Sequence, residues 1–141
     1  MSSAYVDASA LVKLVVDERD AVALRRFLQG FDEHTTSRIG IVETRRALAR
    51  VSTDATTIDR IMAPIGPIDF DAAIAATAAL IQPPAIRTLD AIHLATGLFV
   101  FEKYPPTDGT NGIFVTADRH LKRAAEWAGL RVIDPEATDS A

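Results

Sequence analysis

The chain has 141 residues, enough for one domain, and 48% of them are hydrophobic, which excludes an intrinsically disordered protein. It contains no cysteine, which excludes disulfide bonds and thiolate metal sites, and its net charge of −4 excludes general attraction of nucleic acid by a basic protein. The sequence shows no signal-type or membrane-spanning apolar stretch, so we expect a cytoplasmic protein that does not enter a membrane.

Strand-like and helical segments alternate through the first half of the chain. The predicted elements are, in chain order, a strand at residues 5–7, helices at 8–16 and 20–29, a strand at 34–37 and a helix at 38–50. Ser37 is the expected N-cap of the last of these helices. A further helix is expected to begin at Ser52 or Thr53 and to end before Pro64.

The second half continues the same alternation. The predicted elements are, in chain order, a short strand at residues 68–69, helices at 71–81 and 89–103, a strand at 113–116, a helix at 118–128 and a strand at 130–133. Thr88 is the expected N-cap of the helix at 89–103, and Gly129 is expected to end the last helix. Two prolines and two turn-type pairs predict a loop at residues 104–111, and residues 136–141 are predicted to be a frayed tail.

Strands that alternate with helices predict an α/β fold. We expect a short parallel sheet of about five strands, flanked by helices on both faces in three layers. Sites in such folds form outside the carboxyl ends of the strands. Asp7 and Asp118 each directly follow a predicted strand, so we expect both at the same edge of the sheet.

Four carboxylates interrupt apolar segments of the chain: Asp7, Glu43, Asp90 and Asp118. An ionised carboxylate among apolar side chains costs several kcal/mol unless it is paired, hydrogen-bonded or bound to a metal. Carboxylates that lie close together also repel one another, and a cation relieves that repulsion. Because oxygen ligands suit hard cations, the pattern predicts a site for Mg²⁺ or Mn²⁺.

Each of these carboxylates also has a purely structural interpretation. Three of them are suited to cap or complement a helix N-terminus: Asp7, Asp90 and Asp118. Glu43 lies within a predicted helix, where an ion pair with Arg46 or Arg50 is the alternative. A shared site accounts for all four positions with one explanation, and we therefore prefer it.

The basic residues are mostly arginine, with twelve arginines among fifteen basic side chains. Arginine carries a planar fork that suits phosphate groups. Arg38, Arg45, Arg46 and Arg50 cluster on one predicted helix, where a solvated helix face is the alternative to phosphate binding. His93 is interpreted as a packed helix residue, and the apolar run at residues 98–101 as core, with a subunit contact as the alternative.

Four motifs together resemble a known family. They are Tyr-Val-Asp-Ala-Ser-Ala-Leu-Val-Lys-Leu at 5–14, the helix that carries Glu43, Leu-Asp-Ala-Ile-His-Leu-Ala at 89–95 and Val-Thr-Ala-Asp-Arg-His-Leu at 115–121. Over residues 4–135 the chain resembles the PIN-domain family and, within it, the VapC toxins of VapBC toxin–antitoxin pairs. The resemblance implies an endoribonuclease that depends on Mg²⁺ or Mn²⁺. It also implies a homodimer and inhibition by a VapB-like antitoxin.

The resemblance also implies a role for each acidic residue. The family's acidic quartet corresponds to Asp7, Glu43, Asp90 and Asp118, which are therefore the expected catalytic residues and metal ligands. Asp7 and Asp90 are the expected direct ligands, and Asp118 is expected to complete the site directly or through water. Glu43 is expected to orient the attacking water or to hold a second ion.

Other residues are expected to support this site. Ser9 and Thr116 match the small hydroxyl residues that often accompany the quartet, and we expect them to hydrogen-bond the acids. Arg38, Arg45 and Arg46 are candidates for steering the RNA backbone. The loop predicted at residues 104–111 is longer than the resemblance implies, and substrate choice or the dimer is where we expect its effect.

Two other functions are compatible with part of the pattern. A PIN-like module without catalytic activity would bind only protein or RNA, although such modules typically lack some of the acids. A receiver-type phosphoacceptor domain also gathers acids at the carboxyl edge of a parallel sheet. That domain requires a lysine after its last strand, whereas the last predicted strand here is followed by Asp134 and Pro135.

Overall fold

The structure is a computed structural model that describes residues 2–16, 18–51, 54–103 and 112–140. These residues form strands and α-helices in alternation, followed by a short 3₁₀ helix. In chain order the elements are β1 (Ser3–Val6), α1 (Ala8–Val16), α2 (Glu18–Leu28), β2 (Glu33–Ser37), α3 (Arg38–Ala49), α4 (Ala55–Met62), β3 (Gly66–Ile68), α5 (Ala72–Ala79), α6 (Thr88–Lys103), β4 (Gly112–Val115), α7 (Arg119–Trp127), β5 (Val132–Ile133) and the 3₁₀ helix (Pro135–Ser140).

The strands form one five-stranded parallel sheet in the order β3-β2-β1-β4-β5, which confirms the predicted sheet. The chain builds outward from β1 through β2 to β3 and then crosses back to place β4 on the other side of β1. The gap beyond the carboxyl ends of β1 and β4 is therefore the topological switch point, where ligands bind in such sheets. Receiver-type domains have the order β2-β1-β3-β4-β5 instead, so this chain does not share their topology.

Alternation along the central strands builds two cores, one on each face of the sheet. Ala4 and Val6 of β1 pack in one core, with Leu11 of α1 and buried side chains of α2, α3 and α4. Tyr5 points to the other face, where it packs with Phe114 of β4 and with α6 and α7. Helices therefore cover both faces, as the three-layer prediction requires, and α5 packs against α6.

Local signals located several helix ends correctly. Helix α1 has the predicted bounds. Ser37 caps α3 as predicted, with its hydroxyl accepting a hydrogen bond from the Ile39 N–H at 3.1 Å. Gly129 follows α7 with a φ of 85°, a left-handed conformation that glycine adopts without strain. Thr88 forms the first turn of α6 rather than preceding it.

Two predictions fall on residues outside the described part of the chain. Ser52 and Thr53, the expected N-caps of α4, lie there, and so does the predicted loop at residues 104–111. The observed N-cap of α4 is Asp54, whose carboxylate accepts a hydrogen bond from the Thr56 N–H at 3.2 Å.

The predicted frayed tail is wrong for the described residues, because the 3₁₀ helix packs against α2. The side chain of Thr138 is only 6% exposed, and the Lys13 Nζ lies 2.9 Å from a carboxylate oxygen of Glu136. These are tertiary contacts, which local composition does not reveal. In the apolar run at 98–101, Val100 and Phe101 are buried in the core as interpreted, whereas Phe99 is 44% exposed and Leu98 is half-buried.

None of the helices in the described ranges is long and apolar enough to cross a membrane.

Candidate active site

The structure gathers the predicted acids around the switch point. Asp7 directly follows β1, and Asp118 follows β4 and caps α7. Asp90 lies in the first turn of α6, and Glu43 lies midway along α3. Val6 and Val115, the last residues of β1 and β4, are partners in the sheet. Asp7 and Asp118 therefore lie at the same edge of the sheet, as predicted.

Asp7 is the most deeply buried of these acids, with 2% of its surface exposed. One carboxylate oxygen accepts hydrogen bonds from the Ser9 hydroxyl at 2.8 Å and from the Ala10 N–H at 3.0 Å. The other accepts the Thr116 hydroxyl at 2.6 Å. Burial raises the pKa of Asp7, and the charge interaction with His93 and these hydrogen bonds offset only part of that rise. The carboxylate thus carries an uncompensated desolvation cost.

Two hydroxyl groups connect the ends of β1 and β4. Thr116 donates to Asp7 and accepts a hydrogen bond from the Asp118 N–H at 3.1 Å. Ser9 donates to Asp7 and accepts a hydrogen bond from the Ala117 N–H at 2.9 Å. The structure therefore places both residues where the supporting role predicted for them requires, in direct contact with an acid of the site.

Arg87 joins two of the acids and was missed by sequence reasoning. Its guanidinium donates to Asp90 at 3.1 Å and to Asp118 at 3.0 Å. The remaining oxygen of Asp118 accepts the His120 N–H at 2.8 Å, so the capping interpretation of Asp118 is also correct. The side chain of Arg87 is 67% exposed, so water screens both ion pairs and each contributes little to stability. The available signal in the sequence was an arginine directly before a helix that carries an acid in its first turn.

Glu43 is held by a chain of hydrogen bonds that reaches the core. A carboxylate oxygen of Glu43 lies 2.8 Å from Nε2 of His93, and Nδ1 of His93 lies 2.6 Å from the Tyr5 hydroxyl. The Ser37 N–H donates to the same hydroxyl at 3.1 Å. Nε2 of His93 is the N–H that donates to Glu43, because an ionised carboxylate can only accept a hydrogen bond.

These hydrogen bonds decide between the interpretations given to Glu43 and His93 from the sequence. Glu43 pairs with His93, so its predicted alternative pairing with Arg46 or Arg50 is wrong. His93 is 3% exposed, which confirms it as a packed helix residue. Sequence reasoning missed its bond to Glu43, because the two residues lie on different helices and 50 positions apart.

A glycine in α3 makes room for this arrangement. A Cβ atom on Gly40 would lie 2.9 Å from Cε1 of His93 and 2.9 Å from the Thr36 hydroxyl oxygen. Both distances are shorter than a Cβ atom normally makes to any neighbouring atom, so a larger residue does not fit here. Tyr5 is fixed from the other side, because its ring stacks on Phe114 with centroids 5.0 Å apart. Glu43 is therefore held in position by buried, closely packed groups, through its hydrogen bond to His93.

The predicted arginines lie on exposed parts of α3 and do not converge on the acids. Arg38 pairs with Asp69, and Arg45 pairs with Asp59 at 2.9 Å. Arg46 is exposed. Their contact with RNA remains a prediction.

The donor chemistry of the site fits a hard divalent cation. Carboxylate and hydroxyl oxygens line it, which is the ligand type that Mg²⁺ and Mn²⁺ prefer. As the side chains stand, no group of three or more histidine or acidic residues in the described ranges is close enough to hold a metal ion. In this arrangement Arg87 occupies Asp90 and Asp118, and His93 occupies Glu43.

The fold and site define a class of α/β protein with an acidic site at the switch point of a parallel sheet. The chain belongs to the PIN-domain family, whose family model matches residues 4–126. It is 38% identical over 134 residues to "Ribonuclease VapC35" of Mycobacterium tuberculosis, covering 93% of this chain and 96% of that protein. It is 34% identical over 137 residues to "Ribonuclease VapC46" of the same organism, covering 96% of this chain and 99% of that protein.

Solved structures share the fold. One is VapBC2 from Rickettsia felis bound to a promoter DNA fragment, with a TM-score of 0.69, 13% identity and coverage of 94% of this chain and 98% of that chain. Another is a PilT N-terminus domain protein from Sulfolobus solfataricus, with a TM-score of 0.54, 14% identity and coverage of 98% and 91%.

Proposed function

We propose that this protein is an endoribonuclease that depends on Mg²⁺ or Mn²⁺ and is the toxin of a VapBC-type toxin–antitoxin pair. The observation that carries the proposal is the acidic network at the switch point, with the buried and desolvated Asp7 at its centre. The relatives named as VapC ribonucleases support the activity, because the similarity extends over almost the whole of each chain.

Asp7 and Asp90 are the proposed direct ligands of the cation, and Asp118 completes the site directly or through water. A divalent cation supplies charge stabilisation to the phosphoryl group that is attacked and makes a water more acidic. Asp7 gains most from such a charge, because burial raises its pKa. Ser9 and Thr116 hold the Asp7 carboxylate in one orientation through their hydroxyl groups.

Glu43 is the proposed acceptor of a proton from the attacking water. One of its oxygens is fixed by His93, so the other oxygen is available to the water. The water oxygen forms a bond to phosphorus as the bond to the 3′ oxygen breaks. The products are a 5′-phosphate and a 3′-hydroxyl, and the leaving oxygen takes up a proton.

The toxin role adds a partner and an assembly. A VapB-like antitoxin that buries an apolar segment on this protein and directs a basic side chain at the acids would block the site. The ion pairs of Arg87 with Asp90 and Asp118 support this, because a guanidinium suits these carboxylates. A homodimer and a cytoplasmic location are further parts of the proposal.

The test is cleavage of RNA by the purified protein. We expect cleavage in Mg²⁺ or Mn²⁺, products with 5′-phosphate ends, and complete inhibition by EDTA that excess cation reverses. A catalytically silent binding module is the second candidate, favoured if calorimetry detects no Mn²⁺ binding. Growth arrest on expression, relieved by a small neighbouring gene, tests the toxin role separately from the activity.

Replacing Arg87 by glutamine is expected to increase the affinity for Mn²⁺ by roughly 2- to 10-fold. The guanidinium competes with the cation for Asp90 and Asp118, and glutamine removes its charge while keeping a polar side chain. Isothermal titration calorimetry measures the change, and Arg119→Gln, an exposed arginine of α7, is the matched control. Unchanged or weaker binding in Arg87→Gln would show that the arginine does not compete with the cation.

A further inference from the structure

A groove runs beside the acidic site along α7. It has a volume of about 520 Å³, and its lining includes Ile86, Arg87, Asp90, His120, Arg123 and Trp127. Arg87 and Asp90 belong to the network of acids described above, so the groove opens directly onto the proposed site of cleavage. Of its other lining residues named here, only His120 contacts that network, through its backbone N–H, and the side chains of Arg123 and Trp127 need an explanation of their own.

One face of α7 presents these residues in a row. Asp118 caps the helix, and His120, Arg123 and Trp127 follow at intervals of two, three and four residues, which keeps them on one side of the helix. The rise of a helix places Trp127 about 13 Å along the axis from Asp118. The groove thus leads from the acids, past a guanidinium, to an aromatic ring.

Trp127 is the only tryptophan in the chain and is 79% exposed. A ring of this size usually buries 150–250 Å² when it packs, so Trp127 adds little to the core of the isolated protein. An exposed aromatic ring beside cationic side chains is the combination that binds single-stranded nucleic acid, through base stacking and phosphate contacts.

We infer that this groove binds single-stranded RNA next to the cleaved bond, with an unpaired base stacked on Trp127 and a backbone phosphate held by Arg123. The inference rests on the proposed ribonuclease function and adds two residues, Trp127 and Arg123, that hold the substrate beside the cleaved bond. A neighbouring nucleotide must be unstacked for its base to reach the ring, whereas duplex RNA keeps its bases stacked inside the helix. Trp127 therefore contributes to binding only when a base beside the cleaved bond is unpaired.

Binding is measured without cleavage, in EDTA, by the anisotropy of a short fluorescein-labelled single-stranded oligoribonucleotide. We expect Trp127→Ala to weaken binding about 10-fold. Arg123→Gln should weaken it less and should reduce the slope of log affinity against log salt by about 1. In the wild-type protein, the unlabelled strand should quench the fluorescence of the single tryptophan.

Matched controls separate the groove from the rest of the surface. Leu80→Ala removes an apolar side chain that is 76% exposed and lies far along the chain from α7. Arg119→Gln removes a charge from α7 itself, the helix that carries Arg123 and Trp127. Both controls should bind RNA like the wild type. The duplex formed from the same strand should bind at least about 10-fold more weakly.

Equal binding by Trp127→Ala and wild type, or equal affinity for single strand and duplex, would overturn the inference. Normal cleavage with an unchanged KM in both groove variants would also overturn it while leaving the ribonuclease function intact. Conversely, tryptophan quenching and a loss of affinity in the variants, without any cleavage, would support the groove and contradict the proposed function. Quenching by an antitoxin peptide but not by RNA would assign the groove to a protein partner instead.

Discussion

Asp7→Asn is expected to fold like the wild-type protein and to lose RNA cleavage by at least about 100-fold. Asparagine keeps the shape of the side chain and can still accept the Ser9 hydroxyl and the Ala10 N–H. It removes the negative charge that the proposed cation requires. Single-turnover cleavage in Mg²⁺ measures the loss, and circular dichroism verifies the fold.

The control for this experiment is Asp69→Asn, which neutralises an exposed acid outside the site and should cleave RNA normally. Calorimetry with Mn²⁺ should show binding by the control and much weaker binding by Asp7→Asn. An Asp7→Asn protein that cleaves RNA at the wild-type rate would refute the assignment of Asp7 as a metal ligand.

The same variant makes a prediction about stability in EDTA. A carboxyl whose pKa is higher in the folded than in the unfolded state adds stability below its unfolded pKa and loses that contribution as pH rises through its folded pKa. Burial raises the pKa of Asp7 above its usual value of 3.8, so wild type should lose stability relative to Asp7→Asn as pH rises above that value. Urea unfolding of both proteins between acidic and neutral pH isolates the difference. Mg²⁺ should stabilise only the wild type.

His93→Ala is expected to reduce the rate of cleavage by about 10- to 100-fold and the free energy of unfolding by about 2–4 kcal/mol. The substitution frees Glu43 and removes the His93 partner of the buried Tyr5 hydroxyl. We expect kcat to fall with little change in KM, because His93 is buried and positions Glu43 without reaching the substrate. Urea unfolding measures the stability.

Two further variants separate positioning from simple loss of stability. His93→Gln offers an amide N–H to Glu43 and should recover much of the rate. Tyr5→Phe removes the far end of the hydrogen-bond chain, so it should lower stability while retaining the bond between His93 and Glu43. If His93→Gln is as slow as His93→Ala although it is more stable, Glu43 does not depend on His93 for its position.

The sequence was sufficient to predict those parts of the fold that follow from local rules. The apolar spacing in residues 8–16 located α1, and the polar residue before α3 identified Ser37 as its cap. Because strands separated by helices run parallel, the order of elements predicted that Asp7 and Asp118 share one edge of the sheet. The pairing of β1 with β4, which makes them neighbours, is seen only in the structure. The placement of Glu43 and Asp90 needed the resemblance to a family, since helical periodicity does not show which helices meet.

Contacts between distant segments could not be predicted. The Tyr5 hydroxyl meets a histidine 88 positions away, and Arg87 meets Asp118 across 31 positions. Both contacts depend on how α6 lies on the sheet, which is set by close packing such as that at Gly40. The tail was predicted incorrectly for the same reason, since the burial of Thr138 depends on a surface of α2 that is remote in sequence.

The contrast in burial between Asp7 and Trp127 has a consequence for how such a protein can evolve. Asp7 is 2% exposed and accepts hydrogen bonds from Ser9, Ala10 and Thr116, so any substitution that does not keep its shape threatens folding and chemistry together. Trp127 is 79% exposed and carries almost no part of the core, so the fold tolerates its replacement. Duplicated copies of this gene could therefore diverge in the RNA they recognise by exchanging residues at the outer end of α7, while an unchanged reaction centre is inherited by every copy.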